Sequence, residues 1–388
     1  MDASSARGSG RPAPPGPARV PGAPAGGRPR AREAGLCLGR LAPGPNNAIT
    51  DVPGVRVGHV TLIRGRGPLV PGRGPVRTGV TAILPHGDNP FLRTVPAAVE
   101  VINGFGKAVG LVQVRELGRL ETPVLLTGTL NVARAADALI DHMIRLCPGI
   151  GIDTRTVNPV VLECSDAYLN DIQGRHVRRR HVLSALEGAG GGPVEEGSVG
   201  AGTGMTCFGF KGGVGTASRL VPELGGVLGA LVLANFGRRG ELVIAGVPVG
   251  RLLLEAAADD GRAGPGSVVV VLATDMALSS RQLGRLARRA VAGLARVGWA
   301  GDHGSGDFVL AFSNAGGPVR AGVEEDGPFG QMARAAVEAT EEAVVNALFA
   351  ATDMEGRDGR VVPGLPVAEV VRLLRARGAL SGPGPEGG

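Results

Sequence analysis

One run of residues constrains the fold of this chain more than any other. Ser267 opens the run SVVVVLA, in which apolar residues follow one another without the alternation of a half-exposed strand. The residues before it, 256–266 (AAADDGRAGPG), are small, polar and turn-forming. A short apolar run bounded by turn signals is typical of a strand that is buried on both faces. The chain must therefore cover this strand's sheet from both sides.

The composition agrees with a layered fold. Aromatic residues make up only 3% of the chain, with one Trp and one Tyr, whereas hydrophobic residues make up 43%. Small aliphatic side chains must therefore fill the core, which suits closely packed layers of sheet and helix. A length of 388 residues allows two or three domains or a single large α/β domain.

The pattern predicts alternating strands and helices from about residue 44 to residue 376, without an internal repeat. Short β-branched runs predict strands, and apolar residues spaced three and four apart predict helices. The predicted strands are 80–84, 124–127, 160–164, 227–235, 242–247, 267–273 and 307–313. The predicted helices are 132–146, 279–297, 329–350 and 365–376. One central sheet covered by helices is the minimum, and two stacked sheets between helices also fit the strand count.

Both ends of the chain differ from this folded part. Residues 1–43 are rich in Pro, Gly, Ala and Arg and show no apolar period, and residues 377–388 are mostly Gly and Pro. Such segments bury too little apolar surface to offset the entropy lost on ordering. We therefore expect both ends to be disordered tails around one folded domain, 44–376.

The net charge of +6 does not indicate a nucleic-acid partner. Residues 1–40 carry seven arginines against two carboxylates, a net of +5, which leaves +1 for the rest of the chain. Binding nucleic acid needs a basic face on the folded part, with aromatic rings on which bases stack. The sequence has no run of 18 apolar residues and no apolar secretory leader, so we expect no membrane partner and a cytoplasmic location.

Cofactor motifs are also missing from the sequence. The four cysteines lie far apart without a C-x-x-C pair, which argues against a metal site and a disulfide framework. No G-x-x-x-x-G-K-[ST] loop is present, and with 66 glycines partial matches to nucleotide-binding motifs carry little weight. We expect neither a metal nor an organic cofactor.

The segment GDHGSGD offers one candidate for catalysis. His303, Ser305 and Asp307 stand two residues apart, so an extended backbone would place all three on one side. Side chains this close in sequence rarely form a hydrolase triad, and a polar loop is the simpler interpretation.

The bond between Gly266 and Ser267 offers another. Attack of the Ser267 hydroxyl on the Gly266 carbonyl would give an ester, and water would then release a new chain start at Ser267. The freed α-amino group, with a pKa of about 7.7–8.0, can act as a general base beside its own hydroxyl. By itself, a Gly-Ser pair before a strand indicates only a turn.

Longer motifs decide between these interpretations. Residues 44–376 resemble, segment after segment in the same order, the family of L-aminopeptidase/D-Ala-esterases and β-peptidyl aminopeptidases, which are self-cleaving N-terminal-nucleophile hydrolases. The resemblance lies in segments such as NAITDVPGVRVGHVTL, NPVVLECSDAYLNDIQG, GAGTGMTCFGFKGGVGTASR, GALVLANFG, GSVVVVLATDMALSSRQLGRLARRAVAGLAR and GSGDFVLAFSNA.

The resemblance assigns roles to five residues. Ser267 matches the nucleophile that follows the cleaved bond, and Ser305 matches a second active-site serine. Asp307 stands where relatives carry Glu or Asp and would orient Ser267 and its new amine. Asn235 matches an amide that stabilises the oxyanion, and Tyr168, the only tyrosine of the chain, matches a tyrosine that assists it.

Substrate contacts are less specific in the sequence. Glu163 and Asp166 are nearby carboxylates that could hold a substrate ammonium, although acidic residues beside a strand end are usually solvated or salt-bridged. Phe105 and Lys107 stand where relatives carry small or polar residues. If their segment lines the substrate pocket, it would shift substrate preference.

The resemblance implies a four-layer αββα sandwich, with two stacked sheets flanked by helices. It also implies cleavage into subunits 1–266 and 267–388, an oligomer of these processed heterodimers, and hydrolysis of small peptides, amides or esters at their amino end. Three alternatives remain: a nylon-oligomer hydrolase, an ornithine-acetyltransferase type of enzyme, and an uncleaved binding protein of the same fold. The first two use a threonine nucleophile, so Ser267 argues against them.

Overall fold

A computed structural model describes residues 27–255, 266–316 and 328–380. The strands in these ranges are β1 (Arg56–Arg64), β2 (Val76–Leu84), β3 (Val95–Gly104), β4 (Arg119–Leu120), β5 (Val124–Gly128), β6 (Val160–Cys164), β7 (Thr206–Cys207), β8 (Phe210–Lys211), β9 (Gly213–Val221), β10 (Gly226–Asn235), β11 (Ser267–Thr274), β12 (Gly306–Ser313), β13 (Met354–Glu355) and β14 (Val361–Val362). The helices are α1 (Leu111–Leu117), α2 (Val132–Leu146), α3 (Arg179–Glu187), α4 (Val249–Glu255), α5 (Ser280–Arg296), α6 (Pro328–Ala350) and α7 (Val367–Ala376).

Two sheets form the centre of the molecule. One has four strands in the order β1-β2-β5-β6, and the other has six in the order β4-β3-β12-β11-β10-β9. Most neighbouring strands are antiparallel, but β5 and β6 run parallel, as do β11 and β12. Two short hairpins, β7-β8 and β13-β14, lie outside these sheets.

Three apolar clusters bind the layers together. Ile83 and Leu162 of the four-stranded sheet share a cluster with Val269 and Leu310 of the six-stranded sheet. A second cluster packs the outer face of the six-stranded sheet against α5 and α6. A third packs the outer face of the four-stranded sheet against α2 and α3. The layer order is therefore αββα, which confirms the predicted fold class.

Strand β11 shows why this order follows from the sequence. Val268 and Val270 belong to the cluster with the helices, whereas Val269 and Val271 belong to the cluster between the sheets. Side chains of a strand alternate between faces, so a run without polar residues requires apolar cover on both. Ser279 caps the helix after it, α5, because its Oγ accepts the Gln282 N–H at 3.3 Å.

The predicted strand 242–247 is wrong. Ile244 and Val247 exchange main-chain hydrogen bonds of 3.0 and 2.9 Å, so the segment folds back on itself in a tight turn. Ala245 and Gly246, the two central residues, both have positive φ, at 51° and 77°. The mirror-image hairpin turn requires this backbone at both positions, and it ends the extended run.

The expected N-terminal tail is too long. Residues 27–43 pack on the domain, with Leu36 and Leu38 in the core. Arg30 pairs with Glu196 at 2.6 Å and Arg32 with Glu342 at 2.7 Å, and both carboxylates are buried. These ion pairs with buried carboxylates help to hold the segment on the domain. Because arginines produce no apolar periodicity in the sequence, the sequence pattern did not show this packing.

The other expected tail and the loop before Ser267 lie partly outside the described residues. Residues 1–26, 256–265 and 381–388 are among those outside. At the C-terminal end, Ala379 and Leu380 pack against the core, so 377–380 also belong to the domain. Among the helices listed above, none is long and apolar enough to cross a membrane.

Candidate active site

Three strand ends meet at one edge of the six-stranded sheet. Strand β10 ends at Asn235, whereas β11 and β12 begin at Ser267 and Gly306. Asn235 lies opposite Ser267 in the antiparallel pair, and Val268 lies opposite Asp307 in the parallel pair. Strand pairing thus brings together three residues that are far apart in the sequence.

The Ser267 side chain is enclosed at this edge. It is 9% exposed, and its Oγ accepts a hydrogen bond of 3.0 Å from the Gly306 N–H. Strand alternation directs Ser267 and Asn235 to the side of Val269 and Leu233, which is the space between the two sheets. The hydroxyl therefore lies at one end of the central core.

Gly266 fits closely against the neighbouring strand. A Cβ atom at this position would lie 1.9 Å from the main-chain oxygen of Asn235 and 2.7 Å from the Cα of Phe236. No side chain fits such contacts with main-chain atoms. The need for glycine before Ser267 is thus steric.

A buried carboxylate flanks the serine on its other side. One oxygen of Asp307, Oδ1, accepts the Val268 N–H at 3.1 Å, and the other, Oδ2, accepts the Ser305 hydroxyl at 2.5 Å. Burial raises the pKa of Asp307, while these two hydrogen bonds favour the charged form. Asp307 thus links the second serine to the main chain of the residue that follows Ser267.

Asn103 is a site residue that sequence analysis missed. Its Nδ2 donates to the carbonyls of Ser305 and Asp302 at 2.6 and 3.1 Å, which fixes the loop before β12. Strand β3 has a register shift against β12 between Asp307 and Phe308, and bulges of this kind often re-aim side chains beside active sites. The only signal in the sequence was an Asn beside two glycines, in INGFG.

The alternative triad is not formed in this loop. His303 is exposed, and its carbonyl accepts from Asn103 at 3.0 Å. The Ser305 hydroxyl contacts Asp307 directly. The loop therefore positions Ser305 and Asp307 and leaves the imidazole outside.

The side-chain amide of Asn235 is held at both ends. Its Oδ1 accepts the Thr206 N–H at 2.8 Å, and its Nδ2 donates to the Ser165 carbonyl at 3.2 Å. Ser165 follows the end of β6, so this second bond joins the two sheets. One N–H of Nδ2 remains for a further acceptor, since a primary amide carries two.

The described contacts of Tyr168 are with an arginine and not with the candidate catalytic residues. The side chain is 47% exposed, and the Arg360 guanidinium lies 4.9 Å from its ring centre. The carbonyl of Tyr168 accepts from the same arginine at 3.2 Å. Over the described ranges, its side chain makes no hydrogen bond with Ser267 or Asn235. Ser165, three residues earlier, occupies the place next to Asn235.

Glu163 lies near the site through two glycines. Its Oε1 accepts the Lys107 N–H at 2.8 Å, and its Oε2 accepts the Thr129 hydroxyl. A Cβ at Gly106 would lie 3.1 Å from that Oε1, and a Cβ at Gly306 would lie 2.5 Å from the Cα of Gly106. The Gly306 N–H contacts Ser267, and Gly106 packs between Gly306 and Glu163. Only Gly106 therefore separates Glu163 from the N–H that contacts the serine.

Asp166 differs from Glu163 although it is only three residues away. It is fully buried, and a Cβ at Gly128 would lie 2.2 Å from its Oδ2. Within the described part of the chain, neither carboxylate oxygen has a partner at hydrogen-bond geometry. Burial raises the pKa of Asp166 to about 6, and the nearby Thr78 and Asn170 side chains oppose that shift.

Comparison with known proteins identifies the family. The family model named Peptidase family S58 matches residues 47–362. Beta-peptidyl aminopeptidase BapA of Sphingosinicella microcystinivorans is 44% identical over an alignment of 373 positions, which covers 89% of this chain and 92% of the relative. This chain belongs to peptidase family S58.

Solved structures agree with the family S58 assignment. The PH0078 protein from Pyrococcus horikoshii OT3 superposes with a TM-score of 0.84 at 48% identity, covering 90% of this chain and 99% of its own. The L-aminopeptidase D-Ala-esterase/amidase from Ochrobactrum anthropi superposes with a TM-score of 0.81 at 41% identity, covering 91% and 100%. That enzyme is described as a prototype for the serine aminopeptidases and as a variant of the Ntn-hydrolase fold. This S58 chain is a hydrolase of the same aminopeptidase class.

Proposed function

We propose that this chain cleaves itself between Gly266 and Ser267 and then uses Ser267 to release amino-terminal residues from peptides, amides or esters. The observation that carries this proposal is the strand register at the sheet edge. It sets the Ser267 hydroxyl between the amide of Asn235 and the main-chain N–H of Gly306. Two polar donors beside one enclosed hydroxyl are what an acyl-transfer site needs.

Maturation would be an acyl shift followed by hydrolysis. The Ser267 Oγ attacks the Gly266 carbonyl carbon, an ester bond forms, and the peptide bond to the Ser267 nitrogen breaks as that nitrogen takes up a proton. Water then hydrolyses the ester and leaves a carboxylate on Gly266 and a free α-amine on Ser267. The close fit of Gly266 against Asn235 supports this site of cleavage, because a defined geometry converts a slow reaction into a fast intramolecular one.

Turnover would reuse the same groups. The neutral α-amine accepts the proton of the Ser267 hydroxyl, and the oxygen attacks the substrate carbonyl. Asn235 Nδ2 donates to the developing oxyanion, and the leaving amine takes the proton back. A water molecule then attacks the carbonyl of the acyl-enzyme by the same steps, with Ser267 as the leaving group. Asp307 and Ser305 would orient the serine and its amine.

Glu163 would bind the ammonium group of the substrate. It is a buried carboxylate beside Gly106, which packs against Gly306, and its two oxygens accept one hydrogen bond each. A carboxylate oxygen can accept more than one, so capacity remains for a cation. Asp166 is enclosed by Gly128 and Gly204, so we assign the ammonium to Glu163 alone.

Further features of the proposal come from the family and the cysteines. We propose that processed heterodimers assemble into a homo-oligomer and that the enzyme works in the cytoplasm. The cysteines of the described ranges are all free, which agrees with a reducing compartment. Small peptides, amino-acid amides and esters with a free amino end are the proposed substrates.

The test compares the wild type with Ser267→Ala by intact mass and denaturing gel. We expect wild-type fragments of residues 1–266 and 267–388, the second with Ser267 at its amino end, and an uncut 39.2 kDa variant. The processed wild type should hydrolyse aminoacyl amides and ignore their N-acetyl forms. A single wild-type band that stays intact and inactive would refute the proposal and favour a binding protein of this fold.

A further inference from the structure

Lysine is rare in this chain, and one of its two lysines is buried. Among 41 Lys and Arg residues, only Lys107 and Lys211 are lysines. Lys211 is fully buried. Its Nζ donates to three main-chain carbonyls, those of Gly202, Met205 and Gly212, at 2.9, 2.8 and 2.8 Å. All three N–H groups of the ammonium are thereby used.

This arrangement carries a cost in stability. A buried cation is unfavourable unless polar groups replace its water. Burial lowers the pKa of Lys211 to about 7, whereas the three carbonyl oxygens favour its charged form. A neutral apolar residue would avoid this cost. The role of Lys211 therefore lies in the main-chain groups that its hydrogen bonds hold in place.

One of these carbonyls belongs to a peptide that reaches the candidate active site. The Met205–Thr206 peptide accepts from Lys211 Nζ at 2.8 Å and from the Gly212 N–H at 3.0 Å through its oxygen. Its N–H donates to Asn235 Oδ1 at 2.8 Å. Because a peptide group is planar, fixing the direction of its C=O also fixes the direction of its N–H.

The direction of that N–H decides how the Asn235 amide is turned. A primary amide can be rotated by half a turn, which exchanges its oxygen and its NH₂ group. The Thr206 N–H is a donor and requires the Asn235 Oδ1 on its side. Nδ2 must therefore point to the other side, where it donates to the Ser165 carbonyl at 3.2 Å. The Lys211 ammonium that donates to the Met205 carbonyl also polarises the peptide group and strengthens its N–H as a donor.

We propose that Lys211 is a positioning residue for Asn235, acting through the Met205–Thr206 peptide. The inference rests on the proposed role of Asn235 at the oxyanion. Tight packing favours a lysine here: a Cβ at Gly202 would lie 2.5 Å from Val214 N, and one at Gly212 would lie 2.4 Å from Ala234 O. A compact ammonium fits such a space, and a planar guanidinium is wider.

The first test is Lys211→Met, which keeps the aliphatic stem and removes all three donors. We expect kcat per cleaved Ser267 terminus to fall about 10- to 100-fold, because loss of an oxyanion donor costs up to about 10³-fold in kcat. KM should change less than about threefold, since the interaction is made in the transition state. Val182→Ala, a buried change within α3, is the control for lost stability and should leave kcat unchanged.

A second variant removes the same N–H without changing the lysine. Thr206→Pro deletes the donor to Asn235, and Met205, at φ −81° and ψ 147°, already has the backbone that suits a residue before proline. It should lower kcat as Lys211→Met does, and the double variant should lose no more than either alone. This variant keeps the inference testable if Lys211→Met does not fold.

A crystal structure of either variant gives a readout without activity. We expect the Asn235 amide to turn over or to move more than 3.5 Å from the nitrogen of residue 206. An unchanged Asn235 in Lys211→Met, or a kcat within about twofold of the wild type, would overturn the inference. An inactive wild type would instead overturn the proposed function, and the crystal structure would still decide the positioning role.

Discussion

The two sheets contribute different parts of the candidate site. The six-stranded sheet supplies Ser267, Asn235 and Asp307, each fixed by strand pairing at the ends of adjacent strands. The four-stranded sheet supplies Glu163 and the Ser165 carbonyl, at the end of β6 and just beyond it. Hydrogen bonds between neighbouring strands set positions tightly, whereas the two sheets meet through side chains, which are those of the apolar cluster between them and polar ones such as Asn235.

This difference suggests a division of labour. Groups that take part in bond breaking need placement within about 0.5 Å, which a strand register provides. A group that holds a substrate ammonium tolerates more freedom, because charge attraction varies slowly with distance. Changes on the six-stranded sheet should therefore lower kcat and self-cleavage, and changes on the four-stranded sheet should raise KM. The following predictions test this comparison, from the largest expected effect to the smallest.

Asp307→Asn should have the largest effect. It replaces an acceptor oxygen with a donor NH₂ group that faces the Val268 N–H or the Ser305 hydroxyl. We expect self-cleavage and kcat to fall about 10²- to 10⁴-fold, the range for loss of a positioned acid–base group. Time-resolved denaturing gels and steady-state kinetics measure both. Asp302→Asn, an Arg238-paired carboxylate in the same loop, is the control and should stay within about threefold. Similar losses of self-cleavage and kcat in both variants would mean that the negative charge of this loop matters and the hydrogen bonds of Asp307 do not.

Gly266→Ala should block maturation. The new methyl group would lie 1.9 Å from the Asn235 carbonyl oxygen, so the peptide bond to Ser267 must move. A displacement of about 1 Å costs about 100-fold in rate, and we expect self-cleavage to slow by at least that factor. Intact mass at successive times after expression measures it. Cleavage at the wild-type rate would show that the main chain around Asn235 can move to accommodate the methyl group, contrary to the tight placement that the strand register provides.

Glu163→Gln should act on binding. It removes the negative charge and keeps the size and an acceptor oxygen, so KM for substrates with a free amine should rise about 10- to 100-fold, equivalent to about 1.5–3 kcal/mol for a hydrogen bond to a charged group. The value of kcat should change much less. Initial rates across substrate concentration separate the two. A fall in kcat with unchanged KM would place Glu163 in the chemistry and contradict the division between the sheets.

Asp166→Asn should act on stability. The pKa of Asp166 in the folded protein, about 6, lies above its ordinary 3.8, so the wild type loses stability as pH rises through this range. The variant should therefore gain unfolding free energy relative to the wild type between pH 4 and pH 8, by up to about 3 kcal/mol. Urea unfolding at both pH values measures the difference. KM should stay within about twofold, and a larger rise would mean that Asp166 also holds the ammonium.

Tyr168→Phe should have the smallest effect. Its ring is half-exposed against Arg360, and surface changes of this kind usually stay within about 0.5 kcal/mol. We expect kcat and KM within about twofold of the wild type. A tenfold fall in kcat would instead support the oxyanion role that the family resemblance predicts.

Local pattern accounts for most of the fold. The predicted strand 160–164 and helix 132–146 match β6 and α2 residue for residue, because their periods are set by their own side chains. The strand predicted at 242–247 is wrong because the backbone of Ala245 and Gly246 overrides an apolar pattern. The packing of residues 27–43 was missed because arginines hold it to carboxylates that lie far away in the sequence.

The sequence by itself determined that β11 is buried on both faces and, through its long motifs, the family, which implied the αββα layers. Tertiary structure decided which polar groups meet. Asn103 stands outside the motifs and Thr206 has no role assigned by its motif, yet each contacts the site because strand register and a buried lysine bring it there. Tyr168 carries a motif, yet its described contacts are with Arg360. Hydrogen bonds between residues 29 to 202 positions apart depend on the folded backbone, which no local pattern encodes.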